Sequence, residues 1–249
     1  MDKKIEIVTI LENKFIAKDV CEISFNYSFD VEPGQFVNLY LNSKDKLLPR
    51  PISVCRKEGD LLTLVYGVVG KGTEELSSYE KGCKIRVSTP LGQGFYLDQV
   101  ERGKSAMLIG GGIGIPPLLE LSYALLEKGV RVEAVLGFKE QPFLIDDFPC
   151  NVHLASDEGI VGFHGNVLDL IKAKGLNADY YFSCGPKAML KAVAEYFPDV
   201  QLSMEERMGC GYGACLGCVC KTKEADGITR KKVCQDGPVF WGRDVVWDE

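Results

Sequence analysis

Histidine is scarce in this 249-residue chain, which has two, His153 and His164. Neither lies near a cysteine pattern, so both read as surface or core residues rather than ligands. Blocks of Lys and Arg are missing as well. The 29 basic residues are outnumbered by 35 acidic ones, and the net charge is −6. Phosphate backbones are bound by basic surfaces, so nucleic acid is not an expected partner. No apolar run approaches the ~20 residues that span a bilayer. The opening MDKKIEIVTI alternates polar and apolar residues like a strand, which argues against a signal peptide. A soluble, cytoplasmic protein without a membrane partner is expected. Internal repeats and low-complexity linkers are also lacking. What remains, 46% hydrophobic and 26% charged residues, is an ordinary globular composition. The length suits one large domain or two to three small ones.

Periodicity divides the chain into three. Residues 1–98 hold short β-type runs, KIEIVTI, VCEISFNYS, GQFVNLYL, RPISVCRK, LLTLVYGVV and CKIRVSTP, separated by EPG, EGD and EKG turns. Such spacing predicts a closed antiparallel β-barrel or a sandwich, interrupted by one short helix in GTEELSSY. Residues 99–204 alternate strand and helix, the pattern of an α/β parallel sheet covered on both faces. In PPLLELSYALLEKG, Leu118, Leu119, Tyr123 and Leu126 recur at helical spacing, and Gly129 supplies the stop. Residues 205–249 are rich in Gly and Cys and lack a core pattern of their own. A metal or a docking surface must hold them in shape.

The stretch LIGGGIGIPPLLE sets Gly110, Gly112 and Gly114 between a buried strand and a helix headed by Pro116 and Pro117. Glycines allow close backbone approach, and the helix start offers free N–H donors and a positive dipole end. A tight structural turn would use the same residues. The G-x-G-x-G-x-x-P form resembles the nucleotide lobe of the ferredoxin–NADP reductase superfamily, in which NAD(P) visits transiently and a preceding barrel holds a flavin. SCGPKAML is similar to the superfamily turn at which a Cys-Gly-Pro, here starting at Cys184, borders the nicotinamide. VLGFKE has no Arg-rich pocket for a 2′-phosphate, which favours NAD over NADP.

That resemblance implies an FAD site in the barrel. Arg50-Pro51-Ile52-Ser53 matches the superfamily's Arg-x-x-Ser, with Arg suited to a pyrophosphate and Ser to the flavin ring. Val65, Tyr66 and Gly67 match the segment whose backbone and aromatic ring flank the flavin. Gly72 and Thr73, at the mouth of the short helix, match a phosphate-binding turn. Glu74 and Glu75 in its first turn complement the helix dipole, with Lys71 as an offset. PLGQGF, residues 90–95, resembles the loop leading to the second lobe.

Ten cysteines remain. Cys21, Cys55, Cys83, Cys150 and Cys184 stand singly in strand-like contexts and read as small buried hydrophobes. Five crowd between Cys210 and Cys234, which in a reducing compartment signals metal binding or catalysis rather than disulfides. Cys210, Cys215, Cys218 and Cys234 make C-x4-C-x2-C-x15-C, whose first three follow plant-type 2Fe–2S spacing. Gly209, Gly211, Gly213, Ala214 and Gly217 let a loop aim its amides inward. Zinc is the competing reading, but it prefers paired knuckles, and Cys220 with Cys234 makes no proper second one. Cys220 can replace one of the four, though its place on a strand suits a bystander.

CGYGACLGCVC followed by VCQDGPVF resembles the C-terminal module of the electron-transfer subunits of class B dihydroorotate dehydrogenases, and the likeness extends over essentially the whole chain. It implies an NAD-linked flavin and iron–sulfur oxidoreductase subunit of pyrimidine biosynthesis. An FMN-containing dihydroorotate dehydrogenase catalytic subunit would be its partner, in a heterotetramer. Electrons would pass through a 2Fe–2S cluster and FAD to NAD⁺. The flavin subunit of a ferredoxin–NADP oxidoreductase or bifurcating transhydrogenase is built alike and remains the nearer alternative. A zinc-stabilised binding module is the distant one. The run Glu205 to Arg207 beside the cysteines reads as solvated charge, with interface contact as the alternative.

Overall fold

A computed structural model describes residues 4–43 and 45–247. Six strands form the N-terminal part: β1 (Ile5–Ala17), β2 (Val20–Asn26), β3 (Phe36–Tyr40), β4 (Arg50–Glu58), β5 (Leu61–Gly67) and β6 (Lys84–Ser88). They close into a barrel in the order β1-β2-β5-β4-β3-β6, all pairs antiparallel. Alternation drives closure. Ile23, Phe25, Val37, Leu39, Leu62, Leu64, Ile85 and Val87 turn inward and are all but excluded from solvent. Strand β1 outruns its apolar start because register shifts at Ile10/Glu12 and Phe15/Ala17 let it bend along β2. The short helix α1 (Lys71–Ser77) follows β5.

The second part is a sheet: β7 (Ser105–Gly111), β8 (Arg131–Phe138), β9 (Asn151–Ser156), β10 (Phe163–His164), β11 (Tyr180–Cys184) and β12 (Gln201–Ser203), with α2 (Pro116–Glu127), α3 (Val167–Lys174) and α4 (Lys187–Tyr196). Strand β7 is buried along almost its whole length, as a central parallel strand covered on both faces must be. Helix α2 begins with prolines, which cost no helix hydrogen bond there, and Gly129 beyond it takes φ +75°. The strand order β10-β9-β8-β7-β11-β12 reverses direction at β7. Loops leaving the carboxyl ends of β7 and β11 therefore diverge and open a crevice, the usual ligand position in such sheets.

The tail is more structured than its sequence suggests. It forms a three-stranded sheet of β13 (Val219–Glu224), β14 (Gly227–Lys232) and β16 (Val245–Val246). Strand β15 (Val239–Trp241) leaves this sheet and pairs antiparallel with β12, so the tail supplies an edge strand to the parallel sheet. Val233, Phe240 and Val245 join one apolar cluster with Met107, Val135, Leu190 and Leu202. The tail thus borrows the core of the lobe, which answers its lack of a core pattern.

The barrel and lobe meet through α2 and β4. The Arg56 guanidinium lies 3.7 Å over the Tyr123 ring and its Nη1 is 2.9 Å from Glu120 Oε2, which also accepts from the Lys57 amide at 2.8 Å. The loop at residues 91–97 is tied to the tail and to β12. Gln93 N–H donates to the Gly237 carbonyl, and Gln201 exchanges side-chain hydrogen bonds of 2.7 and 3.1 Å with the Tyr96 backbone.

Candidate functional site

One cleft touches all three parts. Its volume is about 200 Å³, and its wall includes Pro51, Ile52 and Ser53 of β4, Val65 to Gly67 of β5, Ile113 of the Gly-rich loop, Pro117 of α2, and Met204 to Glu206 after β12. The barrel motif and the nucleotide-loop motif therefore converge. Arg50 stands at the other end of its motif. Its Nη1 donates to the Leu48 carbonyl at 2.6 Å. The guanidinium lies against α1 so closely that a Cβ at residue 72 would meet Arg50 Nε and Nη2 at 2.0 Å. Glycine is required there by close approach. A cation above the start of a helix is a fitting cradle for a pyrophosphate.

The side chains of Thr73 and Tyr66 are engaged within the barrel part, while Tyr66 still lines the cleft. The Thr73 hydroxyl is engaged within its own turn, accepting from Val69 N–H at 2.9 Å and donating to the Gly70 carbonyl at 3.1 Å. Tyr66 reaches the cleft wall, but its ring packs in the barrel core and its hydroxyl donates to Asn13 Oδ1 at 3.0 Å. Val65, on the opposite face of β5, packs with the lobe. Glu75 is offset by Lys46 rather than Lys71. Its carboxylate accepts from Ser43 Oγ at 2.7 Å and Tyr79 OH at 2.6 Å, with Lys46 Nζ 2.9 Å away, and these bonds hold its pKa down at about 2.

In the lobe, Gly112 takes φ +52° with nothing near its missing Cβ, whereas Gly110 and Gly114 are packed tightly. A Cβ at Gly114 would stand 2.4 Å from Gly185 N, so the Gly-rich loop rests on the Cys184-Gly185-Pro186 turn. Cys184 pairs in register with Gly110 at the crevice and is 1% exposed. Burial, and secondarily the Glu205 carboxylate, push its thiol well above the ordinary range. Gly111, Gly112, Gly137, Lys139, Asp157 and Pro186 line a second cavity of about 280 Å³ over the carboxyl ends of the strands.

Cys215 neighbours Cys210, and Cys234 feels both Cys218 and Cys210. Backbone amides turn toward the sulfurs: Cys215 N–H and Tyr212 N–H reach Cys210 Sγ at 3.4 and 3.5 Å, and Gly213 N–H reaches Cys234 Sγ at 3.2 Å. Burial pushes the Cys210 thiol up, but amide donors from Cys215, Tyr212 and Ala214 outweigh it and hold the pKa at about 6. Burial and the neighbouring Cys218 raise Cys234 to about 12. Among the described residues, no three His, Cys, Asp or Glu side chains are arranged around one metal ion. Thiols served by inward backbone amides fit an iron–sulfur cluster, whose sulfurs take such donors. Cys220 stands apart, lining a separate cavity with Lys187, Glu206 and Arg230.

A family model, the iron–sulfur cluster binding domain of dihydroorotate dehydrogenase B, matches residues 205–246. The electron transfer subunit of dihydroorotate dehydrogenase B (NAD(+)) from Bacillus caldolyticus is 43% identical over 254 residues, covering 97% of this chain and 98% of that one. The chain belongs to the family of dihydroorotate dehydrogenase B electron-transfer subunits. A chain of the NADH-dependent reduced ferredoxin–NADP oxidoreductase superposes with a TM-score of 0.84 at 29% identity, covering 96% of this chain and 90% of that one. The fold is shared with a ferredoxin–NADP⁺ reductase from Neisseria gonorrhoeae, at a TM-score of 0.67 and 18% identity, over 82% of this chain and 93% of that one.

In this family member the cleft has walls that sequence reading missed: Phe36, Met204, Met208 and Pro238. Glu205 and Glu206 also line the wall, while Glu205 and Arg207 are exposed as a solvated charge run would be. Glu205 reaches solvent through the mouth of the cleft, yet the crowding walls desolvate it and raise its carboxyl. Glu206 pairs with Lys187. One signal was available: residues following a carboxyl-end strand such as VQLSME border the crevice of a parallel sheet.

Proposed function

We propose that this chain passes electrons from a dihydroorotate-oxidising, FMN-containing partner subunit to NAD⁺, holding FAD in the cleft and a 2Fe–2S cluster on Cys210, Cys215, Cys218 and Cys234. The bound cluster would supply single-electron carriage, and the flavin the junction between single electrons and a hydride. The observation that carries the reading is the set of backbone amides turned onto the Cys210 and Cys234 sulfurs, in a tail that lines the cleft through Met208 and Pro238. Arg50 and the start of α1 would hold the pyrophosphate, and Pro51, Ile52, Ser53 and Val65 the flavin ring. Gly112, Cys184 and the cavity over the strand ends would receive the nicotinamide cofactor. Lys139 and Asp157 are the charged residues at that cavity, a balance that favours a ribose over a 2′-phosphate.

The partner would dock on the cluster loop, where Leu216 is 77% and Tyr212 43% exposed. An apolar residue of that exposure beside a redox site suits a protein interface. The assembly would be a heterotetramer working in the cytoplasm, and no helix among the described residues is long and apolar enough to cross a membrane. Co-expression with the FMN subunit, purification and dihydroorotate-dependent NAD⁺ reduction test the reading. Failure of the two chains to co-purify would reject it. The alternative, a flavin subunit of a ferredoxin–NADP oxidoreductase, draws on the TM-score of 0.84. It requires a larger flavoprotein partner and ferredoxin-dependent turnover.

A further inference from the structure

Asn38 is a polar residue where a barrel exterior should be wet, yet it is 0% exposed. Its neighbours Val37 and Leu39 point into the barrel core, so Asn38 faces outward from β3. The tail covers it. Asn38 Nδ2 donates to the carbonyl of Cys210 at 3.0 Å, joining residues 172 apart in sequence. The other half of the carboxamide, Oδ1, is buried and has no hydrogen-bond partner among the described residues. Gly211, next in the loop, takes φ +76°, and a Cβ there would stand 2.4 Å from Asn38 Nδ2 and 2.8 Å from Oδ1. The carboxamide and the loop are interlocked.

The backbone beneath is equally fixed. Asn38 N–H donates to Ser88 Oγ at 2.9 Å, and that hydroxyl donates to the Thr89 carbonyl at 2.8 Å. Across the ladder, Asn38 is in register with Pro51, while Pro51, Ile52 and Ser53 line the cleft. Asn38 therefore touches the backbone of one thiol-bearing loop and pairs with the strand that carries the cleft motif.

We propose that Asn38 is a positioning residue that sets the place of the Cys210 loop on the barrel and the polarity felt there. The inference rests on reading the cysteine quartet as cluster ligands. A buried polar group is retained only if its bond to the loop outweighs the unmet acceptor, which an apolar residue would have avoided. An acceptor held at the loop adds negative potential beside Cys210, whereas the N–H on the same group satisfies its carbonyl.

The test uses the full chain with Asn38→Leu and Asn38→Asp, the second having the parent's size should leucine disturb the barrel. In the iron-free chain, amide hydrogen exchange at Tyr212 and Gly213 should quicken about tenfold in both variants, the factor one buried hydrogen bond is worth, with α3 unchanged. After anaerobic loading, iron and sulfide content should match the parent. The electron paramagnetic resonance g-values of the reduced cluster should shift, and the aspartate variant should have the lower midpoint potential. Parent-like exchange and parent-like spectra in both variants would overturn the proposal. A parent chain that takes up no iron would instead reject the cluster reading, and the exchange arm would still decide the role of Asn38.

Discussion

At the residue scale, charge and close approach decide what each side chain can do. Arg50 makes no ion pair among the described residues, and its hydrogen bonds go to the carbonyls of Leu48 and Pro49. Arg50→Ala should weaken FAD retention by about 2 kcal/mol, a charge-assisted bond's worth, measured as flavin content after gel filtration. Cys215→Ser removes one thiol of the proposed ligand quartet. Loss of iron and acid-labile sulfide with FAD retained is the expected outcome, read by metal analysis and visible absorption. Glu75 carries a pH signature. Ser43 and Tyr79 hydrogen bonds depress its folded pKa from 4.5 to about 2, so the ionised form is the stabilised one. That stability is complete above pH 4.5 and is lost as pH falls toward 2. Melting temperatures of the parent and Glu75→Gln should differ above pH 4.5 and converge as pH approaches 2.

At the scale of elements, one strand of the tail joins the parallel sheet. Phe240 on β15 sits opposite Leu202 and in the cluster that contains Met107 and Val135. Phe240→Ala should cost about 3–5 kcal/mol, the usual penalty for emptying a buried aromatic site, measured by urea unfolding. The barrel strands were legible because their inward residues alternate and turns separate them. Helix α2 was legible through its apolar spacing and Gly129. Strands β13, β14 and β15 were not. GITRKK is polar and solvated on its hairpin, and VFW is too short to show a period. Its burial exists only because β12 offers an open edge.

At the scale of the whole molecule, the cleft is shared by barrel, lobe and tail, and the cysteine loop presents Tyr212 and Leu216 to solvent. Leu216→Asp should abolish co-purification with an FMN subunit while iron and FAD contents stay at parent levels, because Leu216 is 77% exposed and packs little within this chain. Sequence alone determined the three-part order, the cysteine quartet, the Gly-rich loop and the Arg50 motif. Each of these is a matter of spacing and backbone freedom within a few residues, so it is written locally. Tertiary structure decided that the Tyr66 ring serves the barrel core, that Lys46 answers Glu75, and that Glu205 borders the cleft. It also decided that Asn38 holds the loop of Cys210. Those are meetings of residues far apart in the chain. Barrel closure, the reversal of strand order at β7 and the return of β15 to β12 bring them within bonding distance, and no local pattern carries that information.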